Sequence, residues 1–213
     1  MNINIRHERP EDYKRVEEIT REAFWNLYFP GCSEHYVIHQ MRQHNDYIKD
    51  LSFVIEVDGE IVGSIFYSKS KIVTNNSDLV HTVTFGPVSI SPKMHRMGLG
   101  KKLIEYTIKR AKDDGHKAIL TLGYPYHYAP YGFKGGKNYD ISMPDGKFYK
   151  GLLILPLYDG ALNGISGYAE FSDVFTEPDK DTLEKFDSQF PYMEKAYKAS
   201  QREFEEVSMQ LDE

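Results

Sequence analysis

The residues best placed to do chemistry lie in one stretch, His95-Arg96-Met97-Gly98-Leu99-Gly100-Lys101. It follows a β-prone run, Val88-Ser89-Ile90-Ser91-Pro92, and passes almost at once into a helical pattern. Two glycines between a strand and a helix let backbone N–H groups come close to an anion, and the helix N-terminus favours a phosphate there. Arg96 and Lys101 can add positive charge. Spacing decides which phosphate. A mononucleotide loop needs Gly, four residues, then Gly-Lys-Ser/Thr. Here His95 holds the first glycine position, and Gly100-Lys101 is followed by Lys102. A dinucleotide fingerprint needs a glycine at position 103, which is Leu103, and a βαβ unit to open the chain. Both readings fail.

Other chemistry-bearing residues are more scattered. The segment Leu122-Gly123-Tyr124-Pro125-Tyr126-His127-Tyr128-Ala129-Pro130-Tyr131-Gly132-Phe133 is dense in aromatics. Phe24-Trp25-Asn26-Leu27-Tyr28-Phe29 could line a pocket or pack in a core. Glu22, Glu34 and His35 lie near the first two helices and His81 and Thr84 on a central strand; none stands out as a general base. His35 and His39 are four apart on a helix, but the HExxH order and a third ligand are missing, so no metal is expected. The single cysteine, Cys32, sits in a Pro-Gly-Cys-Ser loop with no nucleophile signature.

The elements that must position these groups follow from periodicity. Ile3 and Ile5 alternate in a short first strand. Pro10-Glu11-Asp12 suits a first helical turn, the helix running to about Phe24 with Val16, Ile19 and Ala23 as its apolar stripe. A second helix spans about Ser33 to His44. Phe53–Val57 and Ile61–Ser68 flank Asp58-Gly59, a strong hairpin signal. Val80–Ile90 is a long β-branched run in which Gly86-Pro87 implies a bulge or a splayed strand end. Leu99, Leu103, Ile104, Ile108 and Ala111 mark a helix to about Asp114, capped by Gly115. Lys117–Leu122 and Lys150–Leu157 read as strands. From about Asp179 to Met209 the chain is charged and helical, split by Pro191. The class is α/β or α+β around a largely antiparallel sheet.

Composition narrows the function. At 213 residues, with 40% hydrophobic and 27% charged residues, the chain fits one domain with an appendage. A formal net charge of −6 argues against nucleic-acid binding through bulk charge. One cysteine cannot form an internal disulfide, no apolar run approaches the roughly twenty residues of a membrane span, and MNINIRHERPED lacks a signal-peptide core. A cytoplasmic protein without membrane or nucleic-acid partners is the expectation.

The motif that does fit is strand, Ser-Pro, then Arg-x-Gly-x-Gly opening a helix. It resembles the acyl-CoA loop of the GCN5-related N-acetyltransferase (GNAT) superfamily, Gln/Arg-x-x-Gly-x-Gly/Ala, with His95 standing in the Gln/Arg position. The hairpin, long strand and glycine loop follow the family's order. Tyr128 to Phe133 resembles its Tyr-x-x-x-Gly-Phe segment. Phe85-Gly86-Pro87-Val88 and Leu157-x-x-Gly160-Ala161-Leu162 resemble a bacterial subgroup labelled YhbS-like. The likeness covers roughly residues 1–170, leaving 171–213 as a C-terminal helical extension.

The resemblance implies an acyl-CoA N-acyltransferase fold: a mixed, mostly antiparallel sheet with a splayed central strand pair and flanking helices. It implies acetyl-CoA as cosubstrate, held by Val88, Ser89, Ile90, His95, Arg96, Met97, Gly98, Leu99, Gly100 and Lys101. A primary amine, of a small molecule or of a protein, would attack the thioester directly in a ternary complex. Tyr128 would protonate the leaving thiolate, since a tyrosine titrating near 10 keeps its proton at neutral pH; Tyr124, Tyr126 and Tyr131 are alternatives, as is simple packing. Trp25, Tyr28 and Glu34 are the acceptor-side candidates. A catalytically silent acyl-CoA-binding sensor or partner subunit shares the same loop and is the competing reading. The aromatic C-terminal helices either pack on the domain or make a dimer contact, so monomer and homodimer both stay open.

Overall fold

The computed structural model describes residues 1–212. It is a mixed α/β structure built on one mostly antiparallel sheet flanked by helices. Its strands are β1 (Ile3–His7), β2 (Phe53–Val57), β3 (Glu60–Thr74), β4 (Leu79–Ile90), β5 (Ala118–Leu122), β6 (Lys134–Gly135), β7 (Ile141–Ser142), β8 (Leu152–Pro156) and β9 (Gly167–Phe171). Its helices are α1 (Tyr13–Phe24), α2 (Glu34–Met41), α3 (Leu99–Asp113), the single turn α4 (Pro125–Tyr128), α5 (Lys180–Asp187) and α6 (Ala199–Ser208). One sheet runs β1-β2-β3-β4-β5-β8-β6, with β9 on the far half of β3 and β7 on β9. Pairing is antiparallel except for β4 with β5 and β7 with β9.

Both faces of the sheet are covered, and the period-two alternation of the strands assigns side chains to each. Phe53, Ile55 and Val57 of β2 and Ile65 and Tyr67 of β3 pack with Leu99, Leu103, Ile104 and Ala111 of α3. Val54 and Phe66 point the other way, onto Val16 and Ile19 of α1 and Ile38 and Met41 of α2. Tyr67 lies wholly inside, and its hydroxyl donates to Thr107 Oγ1 of α3 at 3.0 Å, so burying it leaves no unsatisfied donor.

Local signals set the turns. Asp58 and Gly59 have φ of 52° and 90°, the left-handed pair of a tight hairpin. The Gly86-Pro87 irregularity is a bulge: Val88 faces Ile65 and Phe85 faces Tyr67, so two β4 residues stand opposite Phe66 alone. Three short pieces, β6, β7 and β9, are new relative to the sequence reading. In the C-terminal stretch, 188–198 is non-helical over a longer span than Pro191 requires. The carbonyls of Pro191 and Glu194 are engaged by side chains of α1 and the residues after it.

Candidate active site

Between β4 and β5 the sheet opens. The two parallel strands pair only at Val83–Ile119 and Thr84–Leu120. One step further, the Thr121 hydroxyl donates to the Phe85 carbonyl at 3.4 Å, the last link across. Val88, Ser89 and Ile90 stay paired with Ile65, Ser64 and Gly63 of β3, but no strand flanks their other edge among the described residues. The Ser89 hydroxyl is 3.0 Å from both Thr20 Oγ1 and Ser64 Oγ, which pins this part of β4 to α1. The result is a slot with one edge of extended backbone free to hydrogen-bond.

At the end of that edge lies the glycine loop. Gly98, the residue before α3, has φ +75°, a left-handed conformation that costs any β-branched residue dearly. Among the described residues, no acceptor meets the N–H groups of Arg96, Met97, Gly98, Leu99, Gly100 or Lys101; the first α3 bond runs from Lys102 N to Gly98 O. A Cβ on Gly98 would meet nothing within 4 Å, and one on Gly100 only Ile90 Cγ1 at 3.6 Å. Free N–H groups at the positive end of a 15-residue helix, beside open space, fit a pyrophosphate. His95 has a role its position in the motif did not reveal: its Nε2–H donates to the Ile90 carbonyl at 2.9 Å, bracing the loop against the end of β4.

At the other end of the slot, β5 turns through Gly123 into α4. Tyr128 folds back so tightly that a Cβ on Gly123 would lie 2.6 Å from its ring, and it packs against Phe85 and Phe133 at 5.6 and 5.7 Å. Burial pushes its phenol up to about 12, so it holds its proton at neutral pH. Burial raises the Tyr28 phenol, just after α1, well above its ordinary range, and the negative charge of Glu34 adds to that. Burial lifts the Glu34 carboxyl to about 7, opposed by the N–H of Ser33, which donates to Glu34 Oε2 at 3.0 Å. Such a carboxylate can take a proton near neutrality. Tyr28 connects to this end through one ring: Phe204 lies 4.2 Å from Tyr28 and 6.3 Å from Tyr124, the neighbour of Gly123.

Trp25 does not join them. Its ring is buried under the Arg21 guanidinium, 4.2 Å away, and its Nε1–H donates to the Glu194 carbonyl. His81 is exposed on β4, whereas Thr84 Oγ1 is buried without a hydrogen-bond partner among the described residues. His39 faces Glu17 at 3.0 Å while His35 points into the core, so the two histidines do not share a ligand position.

One trio resembles a catalytic triad in composition. Cys32 Sγ lies 3.4 Å from His35 Nδ1, and His35 Nε2 lies 3.1 Å from Asp187 Oδ1. Its electrostatics are the reverse of an activated thiol: burial drives the Cys32 pKa well up and brings that of His35 down to about 4. Both side chains are sealed from solvent, and the Asp187 carboxylate is held by Arg21 through two bonds of 2.7 and 3.1 Å. The trio is a structural knot joining α5 to α1 and α2. Asn26, at φ 59°, adds a second tie: its side chain bonds Gly31 N, Ala196 N and Glu194 O, and its carbonyl accepts from Gln201. Asn adopts this left-handed conformation more readily than most non-glycine residues.

Comparison with known proteins agrees with this architecture. The model of the "Acetyltransferase (GNAT) family" matches residues 20–129. An Escherichia coli protein named "Uncharacterized N-acetyltransferase YhbS" is 26% identical over 172 residues, covering 80% of this chain and 97% of the relative. A crystal structure of YhbS from Escherichia coli in complex with CoA superposes with a TM-score of 0.73 at 22% identity, covering 83% of this chain and 93% of the other. A GNAT family acetyltransferase from Brucella melitensis in complex with acetyl-CoA gives 0.65 at 23% identity, covering 82% and 98%. Open slot, glycine loop and family match converge: the chain belongs to the acetyltransferase (GNAT) family.

Proposed function

We propose that this protein is an acetyl-CoA-dependent N-acetyltransferase that transfers the acetyl group to a primary amine of a small molecule or a protein. The reading assigns residues 1–170 to the acetyltransferase domain and 171–213 to a C-terminal helical extension. The observation that carries it is the slot. The outer edge of β4 at Val88–Ile90, flanked by no strand among the described residues, leads directly to the unengaged N–H groups of Arg96 to Lys101. Those two stretches suit the amides of a pantetheine arm and a pyrophosphate respectively, and two similar structures were crystallised with CoA and acetyl-CoA.

Bound acetyl-CoA would supply a thioester for direct attack by the amine, releasing CoA. The chain's own residues do the rest. Tyr128, protonated at neutral pH, stands ready to give its phenolic proton to the leaving sulfur. Glu34, half-ionised near pH 7, takes the proton that the attacking amine sheds, directly or through a water. His95 holds the loop in shape through Ile90.

The test is a thiol-release assay with acetyl-CoA and a panel of primary amines, followed by mass analysis of the acceptor. Acetylated amine and free CoA in equal amounts support the reading. Tight CoA binding with no release across the panel would instead mark a silent acyl-CoA-binding module.

A further inference from the structure

The C-terminal segment does not hang from the domain. It crosses it. After β9 the chain forms α5, ties Asp187 to Arg21, lays 190–198 along the end of α1, and turns into α6. Ser200 Oγ donates to the Leu27 carbonyl and Gln201 to that of Asn26, so α6 is fastened at its first turn beside Tyr28. The other end of α6 is fastened across the slot: Lys150 N donates to Gln210 O, Asp212 N to Phe148 O, and Leu211 bridges to Tyr149 just before β8. Between those anchors, one α6 side chain reaches the aromatic group described above. The Phe204 ring lies 4.2 Å from that of Tyr28 and 6.3 Å, edge-on, from that of Tyr124.

Resting on the reading of this protein as an amine acetyltransferase, we infer that Phe204 is an acceptor-binding residue. With Tyr28 and Tyr124 it makes one aromatic wall of the acceptor site, selecting primary amines with an aromatic or apolar stem. Three observations combine. The wall is continuous and belongs to both the domain and the extension, so the site is incomplete without α6. Its Tyr124 follows Gly123, on which the ring of Tyr128 closes, and Tyr128 packs on Phe85 where β4 and β5 part. The wall itself is made of rings, Tyr28 against Phe204 and Phe204 edge-on to Tyr124, and Tyr124 in turn packs on Tyr126 at 5.3 Å. A ring wall offers apolar area to the stem of an amine and quadrupole attraction to its ammonium group.

The experiment uses the full-length chain saturated with CoA and four probes: phenethylamine, butylamine, ethanolamine and spermidine. Dissociation constants are measured by calorimetry for wild type, Phe204→Ala and Phe204→Trp, with melting temperatures and CoA affinity as controls. Wild type is expected to bind phenethylamine about tenfold more tightly than ethanolamine. Phe204→Ala should erase most of that preference, and Phe204→Trp should retain it, with CoA affinity unchanged in both. An unchanged order of amines in a folded Phe204→Ala protein overturns the inference, as does a wild type that binds none of the four. Amine binding without acetyl transfer would instead count against the proposed activity and leave the wall standing. If Phe204→Ala fails to fold, Phe204→Trp and Phe204→Leu decide: identical amine profiles in both would also overturn it.

Discussion

The two ends of the slot are built on different principles. The glycine-loop end is made of backbone: Val88–Ile90 and the N–H groups of Arg96 to Lys101, contributed by one continuous stretch of chain. The aromatic end is made of side chains from segments far apart in sequence, with Tyr28 after α1, Tyr124 after β5 and Phe204 on α6. The first depends on local conformation and on the absence of side chains. The second depends on tertiary ties such as Arg21 to Asp187, 166 residues apart. Each should therefore fail for its own reason and without the other.

The largest effect is expected where a tie is cut. Asp187→Ala leaves the Arg21 guanidinium, buried to 4% exposure, without its bidentate partner, and should cost about 3 kcal/mol in urea denaturation. CoA affinity by calorimetry should stay within about twofold of wild type, a difference under 0.5 kcal/mol; a parallel collapse would break the comparison. Gly98→Val strikes the opposite end. A β-branched residue at φ +75° reshapes the loop, and CoA binding should weaken by about 100-fold, near 2.7 kcal/mol. Full CoA affinity in the folded variant would show that the loop is not the anion cradle.

Tyr128→Phe sits between the two ends. It keeps the ring that packs on Phe85 and removes the proton, so kcat should fall by about 10- to 100-fold with CoA affinity unchanged. Equal turnover in both proteins removes Tyr128 from the mechanism. The last effect is spread over pH instead of set at one condition, and it concerns the knot. Burial holds His35 well below its ordinary 6.5 when folded, so the unfolded chain binds the extra proton as the pH falls below that value. Stability should rise with pH in the acid range, by at most about 1.4 kcal/mol per unit, and level off above about 6.5. A melting-temperature profile of wild type beside His35→Asn checks it: an equally steep slope in the variant assigns the dependence elsewhere.

This contrast also explains what could be read in the residues beforehand. The Asp58-Gly59 hairpin, the Gly86-Pro87 bulge, the α3 stripe and the glycine loop are each written in a few adjacent positions, because they are set by φ preference or helical period. Tyr28 and Glu34 could be proposed as acceptor-side residues, yet nothing local distinguishes Trp25, which instead turns its indole to the Glu194 carbonyl. The pairing of β9 with Ser70–Thr74, the Asn26 ties and the path of 188–198 are tertiary outcomes with no periodic trace. His95 was visible as an odd residue in a motif; its bond to Ile90 was not, since a side chain returning to a strand end leaves no spacing rule.

The division of the slot bears on how such a protein can diverge. A cradle of main-chain N–H groups demands little of the surrounding side chains beyond its glycines, so drift elsewhere leaves it intact. That accords with a fold match at 22% identity. The aromatic wall answers to single codons. Under the proposed reading, a change at position 204 retunes the choice of amine while the loop between β4 and α3 stays untouched, so acceptor choice and cofactor binding can vary independently in this fold.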